Sequence, residues 1–322
     1  MSQPLRIVDH HPATDNVLQE VLDGLSSTPP QLPAKLFYDE RGSQLFDRIT
    51  ELDEYYPMRA ETAIMEAHSA DMAAAIGPAA MAVEYGAGSS VKTRILLNHL
   101  EDPVAYVPID ISRDHLKASA GALAADYPGL EVLPVCADYE QPIELPETTR
   151  PVSEHVVYFP GSTIGNFHRE DAHRFLERAA HLSARHHDGA LLIGVDLQKD
   201  DHILHAAYND GEGVTAAFNL NMLTHINRVF GADFDTDRFR HVAFYNNVDG
   251  RIEMHLESRT RQSVALAGRR FRFEAGERIW TESSYKYTVE GFAEIAAAAG
   301  YRFEAAWKDP AELFSVQYYT VS

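Results

Sequence analysis

Apolar and polar positions along the middle of the chain follow two alternating patterns. Short apolar runs predict buried strands at residues 81–85, 104–109, 131–135, 155–159 and 190–196. Apolar residues at helical spacing predict helices at residues 59–76, 91–100, 112–125 and 170–183. Strands that alternate with helices of this length indicate a parallel sheet with helices on both faces.

The pattern differs on either side of this region. Before it, "DNVLQEVLDGL" predicts a short helix, and the Pro- and aromatic-rich residues 28–61 predict an irregular segment. After it, residues 197–231 predict two helices, and "RHVAFYNNVDGRIEMHLESRT" predicts a β-hairpin around an Asn-Asn-Val-Asp-Gly turn. "SVALAGRRFRFEAGE" is consistent with a second hairpin, and a helix and two strands after residue 287 are expected to rejoin the sheet.

Composition excludes several classes of partner. The 322 residues include 48 acidic and 28 basic side chains, which gives a formal charge of −20. Binding to nucleic acid or to an anionic membrane needs clustered Lys and Arg, so neither partner is expected. The sequence shows no apolar signal core and no run of 18 apolar residues, and we expect a soluble, cytoplasmic protein. Without a coiled-coil pattern, a monomer is the expected state.

A metal site is not expected either. Cys136 is the only cysteine, so the chain can form no internal disulfide and no cysteine-based zinc site. Among the 16 histidines, His202 and His205 are paired at helical spacing, but no third ligand follows at a useful distance. We interpret the histidines as surface and packing residues.

The segment "AVEYGAGSSVKTRILL" indicates a loop that binds a ligand. A strand ends near Glu84, and Gly86 and Gly88 precede a predicted helix. Such a loop serves dinucleotides, mononucleotides and S-adenosylmethionine alike. The dinucleotide fingerprint is incomplete, because Val91 stands where its third glycine belongs.

Two further acids narrow the choice of ligand. Asp110 ends the next strand, where a carboxylate can accept both hydroxyls of a ribose. Asp138 and Tyr139 follow the third strand and could contact an adenine. Together with Glu84, these acids resemble those of Rossmann-like, S-adenosylmethionine-dependent methyltransferases. The expected cofactor is S-adenosyl-L-methionine, whose sulfonium already holds an activated methyl group.

Two other segments contain candidate binding residues. In "YFPGSTIGNF", Gly161 permits close backbone approach and the Asn166 amide offers both donors and an acceptor. A hydrolase with Ser162 as nucleophile is disfavoured, since the order differs from G-x-S-x-G. The segment "KLFYDERGSQLFDRITELDEYYP" contains five aromatic residues, which could serve packing or substrate binding, and Gly42 within it could act as a hinge for closure.

These motifs occur in an order that identifies a family resemblance. "FYDERGSQLFDRITELDEYYPMRAE", "VEYGAGSSVKT", "PGSTIGNF", "DLQKD", "AYNDGEGVTAAFNLNML", "RIEMHLESR" and "TESSYKY" resemble the histidine Nα-methyltransferases of ergothioneine biosynthesis, from about Leu32 to the C-terminus. The resemblance implies an enzyme that transfers three methyl groups to the α-nitrogen of L-histidine and yields hercynine. The wider family also includes enzymes for other aromatic amino-acid derivatives.

The resemblance also implies a domain organisation. It predicts an α/β fold, a Rossmann-like class I methyltransferase with a doubly wound sheet and a second, smaller α+β substrate-binding domain. Residues 1–58 and 197–285 would form the substrate-binding domain. Residues 59–196 would bind the cofactor, and residues 286–322 would complete that methyltransferase domain.

Site residues follow from the same resemblance. The cofactor is expected to contact the glycine loop, a lysine of the following helix and the strand-end residues: Gly86, Gly88, Lys92, Asp110, Asp138 and Tyr139. The amino and carboxylate groups of histidine are expected to contact Tyr55, Asn166 and Tyr208. Tyr38 is the implied catalytic residue beside the reacting amine, with Gly161 and Phe46 lining that end. Glu282 and Ser284 would bind the imidazole, with Met254 flanking the ring.

The chemistry of these residues agrees with a histidine substrate. A carboxylate and a hydroxyl can pair with both ring nitrogens of imidazole, whereas an indole offers a single donor. Three alternatives remain open: a methyltransferase for another aromatic amine, an NAD(P)-dependent reductase, and a binding protein without activity. The missing third glycine and the absence of a Tyr-x-x-x-Lys pair with a partner serine weaken the reductase.

Overall fold

The computed structural model describes residues 7–10, 15–87, 91–137, 143–184 and 188–322. These residues divide into two compact units. The first unit comprises the described residues of Met1–Pro12, Arg59–Leu197 and Tyr287–Ser322, and the second those of Ala13–Met58 and Gln198–Lys286.

The secondary structure elements follow one another in this order. The strands are β1 (Val8–Asp9), β2 (Ala80–Tyr85), β3 (Ala105–Asp110), β4 (Glu131–Val132), β5 (Val135–Cys136), β6 (Glu154–Phe159), β7 (Asp188–Asp196), β8 (Phe239–Asn246), β9 (Arg251–Ser258), β10 (Gln262–Leu266), β11 (Arg269–Phe273), β12 (Arg278–Tyr285), β13 (Tyr301–Lys308) and β14 (Phe314–Val321). The α-helices are α1 (Asp15–Ser26), α2 (Glu40–Glu51), α3 (Tyr56–Ile76), α4 (Val91–Leu97), α5 (Arg113–Asp126), α6 (Arg169–Ser183), α7 (Asp201–Tyr208), α8 (Val214–Phe230) and α9 (Val289–Ala298). Short 3₁₀ helices cover Ala34–Phe37, Thr163–Asn166 and Thr236–Arg238.

The first unit is built on one mostly parallel sheet, in the order β1-β5-β3-β2-β6-β7-β14-β13, with β4 beside β3. From β2 the chain adds strands first on one side and then on the other, so the predicted doubly wound α/β fold is confirmed. All six residues of β2 are buried, which explains its continuous apolar run. The final strands β13 and β14 join antiparallel at the β7 edge, as expected for the C-terminal segment.

Two details of this sheet differ from the sequence-based expectation. The single strand predicted at residues 131–135 is two short strands, because Pro134 lies between them and has no N–H for a ladder hydrogen bond. Val8 and Asp9 pair with Val135 and Cys136, so this part of the segment 1–58 adds a strand to the sheet of the first unit.

The second unit contains a three-stranded antiparallel sheet, in the order β12-β9-β8, and a separate hairpin of β10 and β11. Both predicted hairpins are confirmed, and their turns contain glycines with positive φ, Gly250 at 70° and Gly268 at 76°. The two helices predicted after residue 197 are confirmed as α7 and α8. Strand β12 was not predicted from the sequence.

The prediction of an irregular segment at residues 28–61 is wrong, because it contains α2. Asp39 caps this helix, since its carboxylate accepts a hydrogen bond from the Gly42 N–H at 2.7 Å. Leu45 and Ile49, four residues apart, are buried along one face. A Cβ at Gly42 would overlap the carbonyl of Phe37, so close packing in the first helical turn, and not a hinge, explains this glycine.

Candidate functional site

The glycine loop of the first unit begins at the carboxyl end of β2, the central strand from which the chain winds both ways. Gly86 has a φ of 72°, and its N–H donates to the carbonyl of Ile109 at 2.9 Å. A Cβ at Gly86 would have no atom of the described residues within 4 Å. The backbone conformation therefore requires glycine and leaves open space in front of it. Gly88 lies outside the described residues.

A buried carboxylate on α3 links this loop region to the turn after β6. Glu61 is fully buried and forms an ion pair with Lys92, in the first turn of α4. The same carboxylate accepts the N–H of Gly161, at 2.9 Å and 3.1 Å to its two oxygens. Gly194 on β7 leaves room for it, because a Cβ there would overlap Glu61 Oε1. Glu61 thus fixes a predicted cofactor residue and a predicted substrate residue at once.

Glu84 holds the two ends of the loop region together. Its Oε2 accepts hydrogen bonds from Thr93 Oγ1 at 2.7 Å and from the Tyr106 hydroxyl at 2.6 Å. Burial raises the pKa of Glu84 to about 7, although both hydrogen bonds and the charge of Lys92 lower it. The carboxylate connects β2, β3 and α4 and so supports the loop between them.

The strand-end acid Asp110 lies where the sequence predicts it, at the end of β3. Its Oδ1 accepts the Ser112 N–H at 2.7 Å, and the residue is half-buried. Burial raises the pKa of Asp110. The predicted adenine contacts, Asp138 and Tyr139, lie outside the described residues.

The turn after β6 has an unusual backbone. Gly161 and Ser162 both have positive φ, 78° and 54°. A positive φ costs free energy at Ser162, because it is not a glycine. Ser162 Oγ is buried and accepts the Asp196 N–H at 2.9 Å, a contact that holds the turn against β7. This use of the hydroxyl argues against Ser162 as a nucleophile. Asn166 ends the 3₁₀ helix that follows and is half-buried.

In the second unit, the predicted catalytic tyrosine belongs to an aromatic cluster. Tyr38 follows the helix Ala34–Phe37 and is 50% exposed. Its ring packs edge-on against Phe46 and Phe218, with centroids 5.9 Å and 6.1 Å away. Phe46 in turn contacts Tyr55 at 6.4 Å. The structure thus places Tyr38, Phe46 and Tyr55 together within this unit.

A β-bulge in β12 sets the orientation of two residues predicted to contact the imidazole. Trp280 pairs with His255, but Glu282 pairs with Met254, so two residues of β12 oppose one of β9. In a regular ladder Glu282 would oppose Glu253. The bulge instead places Glu282 and Ser284 on the face of Met254, and Thr281 Oγ1 donates to the Met254 carbonyl at 3.0 Å.

Three polar side chains form a buried network at the end of β12. The Tyr208 hydroxyl donates to Ser284 Oγ at 2.8 Å, and Lys286 Nζ donates to the same oxygen at 2.8 Å. Lys286 Nζ also contacts the Tyr208 hydroxyl at 3.2 Å. All three residues are buried. The structure therefore joins a predicted head-group residue to a predicted ring contact through a lysine.

Glu282 has an environment that perturbs its ionisation. Protein atoms surround its carboxylate although part of the side chain remains accessible to solvent. Burial raises the pKa of Glu282 to about 7, and the charge of Lys286 partly opposes this shift. The ionised carboxylate gains most from a partner that donates a hydrogen bond.

Sequence reasoning missed Glu61, Thr281 and Lys286. Glu61 and Lys286 lie inside quoted motifs, "YYPMRAE" and "TESSYKY". Lys286 is two residues from Ser284, but nothing in the sequence predicted a strand there, and Glu61 has no partner nearby in the sequence. Glu61 is 31 positions from Lys92 and 100 from Gly161. The contacts of Glu61 therefore depend on the fold and have no local signal.

The described residues contain neither a candidate metal cluster nor a candidate membrane span. Within these ranges, no three or more His, Cys, Asp or Glu side chains cluster in a way that could hold a metal ion. No described helix is both long and apolar enough to cross a membrane.

Comparison with known proteins gives a consistent family. Residues 17–321 match the model of a family described as histidine-specific methyltransferase, SAM-dependent. A histidine N-alpha-methyltransferase of Mycolicibacterium smegmatis is 42% identical over 310 residues, which cover 94% of both chains. One of Mycobacterium tuberculosis is 42% identical and covers 92% of both. A 4-dimethylallyltryptophan N-methyltransferase of Arthroderma benhamiae is 29% identical, covering 91% of this chain and 90% of its own.

Proposed function

Because this chain belongs to the family of histidine-specific, SAM-dependent methyltransferases, we propose that it trimethylates the α-nitrogen of L-histidine to give hercynine, in ergothioneine biosynthesis. The chain is an S-adenosylmethionine-dependent enzyme with a Rossmann-like sheet. The observation that supports histidine best is the bulge in β12, which sets Glu282 beside Met254 and on the same face as Ser284.

The residues of the first unit fit S-adenosylmethionine. Gly86 has no side chain, and the described residues leave open space beside it, so a ligand can approach its backbone closely. Asp110 offers a carboxylate at the end of the next strand. Bound there, the cofactor would supply a methyl group on a sulfonium, which needs no metal. We assign Gly86, Gly88, Lys92 and Asp110 to its binding, and Asp138 and Tyr139 to the adenine.

We assign the amino-acid head group to Tyr55, Asn166 and Tyr208. The Tyr208 hydroxyl has its proton directed at Ser284, so its oxygen is suited to accept from an amine. The half-buried Asn166 amide can donate to a carboxylate and accept from an ammonium. These contacts would orient the α-nitrogen towards the methyl group, and this alignment is the protein's main contribution to methyl transfer.

We assign Tyr38 to the reacting amine, with Phe46 and Gly161 lining that end. The hydroxyl of Tyr38 can accept a hydrogen bond from the amine and help its proton to reach water. The half-exposed position of this ring, held edge-on by Phe46 and Phe218, suits that role. Each transfer releases one proton, so a route to solvent is part of the chemistry.

The runner-up substrate is another aromatic amine, since one relative is named for 4-dimethylallyltryptophan. An indole could satisfy Glu282 with its single N–H but offers no acceptor for the hydrogen of the Ser284 hydroxyl, at a cost of about 1–3 kcal/mol. We further propose that the protein acts as a cytoplasmic monomer and binds neither nucleic acid nor membrane, in keeping with its charge of −20.

One experiment tests the substrate. The purified protein is mixed with S-adenosylmethionine and, separately, with L-histidine, L-tryptophan or L-tyrosine, and each amino acid is followed by mass spectrometry. A histidine product heavier by three methyl groups, with the others unchanged, is the expected result. Methylation of tryptophan or tyrosine instead would overturn the histidine assignment, and methylation of none of them would overturn the proposed function.

A further inference from the structure

We propose that Lys286 is a positioning residue that fixes Ser284 as a hydrogen-bond donor, so that the ring pocket selects substrates with an unprotonated ring nitrogen facing Ser284. The inference rests on the proposed role of Glu282 and Ser284 as ring contacts. It assigns a function to a buried lysine that the binding roles above do not use.

The argument begins with the lone pairs of Ser284. Its oxygen accepts one hydrogen bond from Tyr208 and one from Lys286, both at 2.8 Å. A serine hydroxyl has two acceptor lone pairs and one hydrogen. Among the described residues both contacts of Ser284 use its lone pairs, so the hydrogen is left for a third partner.

The direction of each hydrogen bond is set by chemistry. A lysine ammonium has three donors and no acceptor, so Lys286 can only donate to Ser284 and to Tyr208. A phenol is a stronger acid than an aliphatic alcohol, and Tyr208 is therefore the donor in its contact with Ser284. Lys286 therefore fills one lone pair of Ser284 and Tyr208 fills the other, which directs the Ser284 hydrogen away from both.

The consequence concerns the polarity of the pocket. Glu282 and Ser284 are two positions apart on β12, so both lie on the same face as Met254. Ionised Glu282 can only accept, and Ser284 can only donate. A five-membered ring that satisfies both must present one N–H and one bare nitrogen, which describes the neutral imidazole. Without Lys286, Ser284 regains a lone pair and could accept from an N–H as well.

The test compares histidine with an analogue that has a ring donor only, β-(pyrrol-2-yl)alanine. Wild-type protein, Lys286→Met, Ser284→Ala and the double variant are assayed for kcat, KM and methylated product by mass spectrometry. Lys286→Met should lower kcat/KM for histidine by about tenfold, mainly through KM. It should also reduce the preference for histidine over the pyrrole analogue. In the Ser284→Ala background, Lys286→Met should change either quantity by less than about threefold.

Several controls keep the outcome clear. Lys308→Met removes a lysine that is paired with Glu312 at the surface, 3.6 Å away, and should behave as wild type. If Lys286→Met does not fold, as judged by thermal unfolding, Lys286→Leu replaces it in the same cycle. Lys286→Gln is assayed beside either one as the conservative variant, because it keeps an N–H donor and should retain more of the histidine preference.

Two results are separable. Equal losses from the Lys286 substitution in both backgrounds, or an unchanged preference for histidine over the pyrrole analogue, would overturn the role of Lys286 while histidine methylation by wild type stands. A wild-type protein that does not methylate histidine would instead overturn the proposed function.

Discussion

The affinity for histidine should depend on pH through Glu282. Burial raises the pKa of this carboxyl to about 7 in the free protein, so it changes charge within the range where enzymes are assayed. Only the ionised form makes a charge-assisted hydrogen bond with the ring N–H, and we expect this form to account for most of the binding. Affinity should therefore rise with pH and level off above about pH 8.

The magnitude follows from two ionisations. With a pKa of about 7, the ionised fraction of Glu282 falls from about 0.9 at pH 8 to about 0.1 at pH 6, which weakens binding about tenfold. The imidazole of histidine has a pKa of about 6.5, and its protonation weakens binding of the neutral ring by about another fourfold. The dissociation constant should therefore increase about fortyfold between pH 8 and pH 6.

Isothermal titration calorimetry with histidine, across that pH range, measures this dependence. Glu282→Gln is the matched control, because it keeps the shape and an acceptor but cannot ionise. Its affinity should be lower at pH 8 and should change only about fourfold, from the ring alone. A wild-type change as small as that of Glu282→Gln would refute the assignment of the carboxylate to the ring.

The same shift has a consequence for stability. The pKa of Glu282 is near 4.5 in an unfolded chain and about 7 in the folded protein, so the folded state binds the proton more tightly. The free energy of unfolding therefore falls as pH rises from about 4.5 to 7, and the loss is complete above that window. Glu282→Gln should raise the melting temperature relative to wild type more at pH 8 than at pH 5.

The remaining predictions concern three other positions. Tyr38→Phe should lower kcat about a hundredfold with little change in histidine affinity by calorimetry, and unchanged turnover would remove this hydroxyl from the proton route. Glu61→Gln should weaken S-adenosylmethionine binding about tenfold, because Lys92 loses its ion pair, whereas Glu312→Gln at the surface should leave it unchanged; equal effects would contradict the role of Glu61. Gly42→Ala should lower the free energy of unfolding in urea by about 1–3 kcal/mol, since its Cβ overlaps a backbone carbonyl, and a neutral substitution would show that the helix shifts freely.

The centre of the sheet in the first unit could be predicted because its strands are short, buried apolar runs that leave a strong local pattern. β2 and β6 show this, and their predicted bounds agree with the structure to within one residue. Helix α2 could not be predicted as easily, because aromatic and charged residues obscure its apolar stripe of Leu45 and Ile49. The cap at Asp39 and the glycine three residues later were the available signals.

Some residues of the candidate site could likewise be predicted from the sequence, and others could not. Gly86 and Asp110 could be located because ligands of open parallel sheets bind at the carboxyl ends of the strands, and the strands themselves could be predicted. Glu282 and Ser284 could be chosen only through family resemblance, since their direction depends on a bulge that strand alternation alone does not reveal. A regular strand would have turned Glu282 to the face of Glu253, next to a like charge.

Both units contain a buried lysine near an acid whose carboxylate protein atoms surround, and folding alone does not account for either arrangement. Moving Lys92 and Glu61 out of water costs free energy that their attraction offsets only in part, and apolar residues of similar size would often be as stable. Lys286 is also buried, and the carboxyl of Glu282 is costly to ionise in the free protein although the charge of Lys286 lowers this cost. What each pair does achieve is a fixed polarity: Lys92 and the Gly161 N–H are held by one carboxylate, and Ser284 by one ammonium. Fixed polar groups need no rearrangement when a ligand binds. This preorganisation favours binding and offsets the loss of stability.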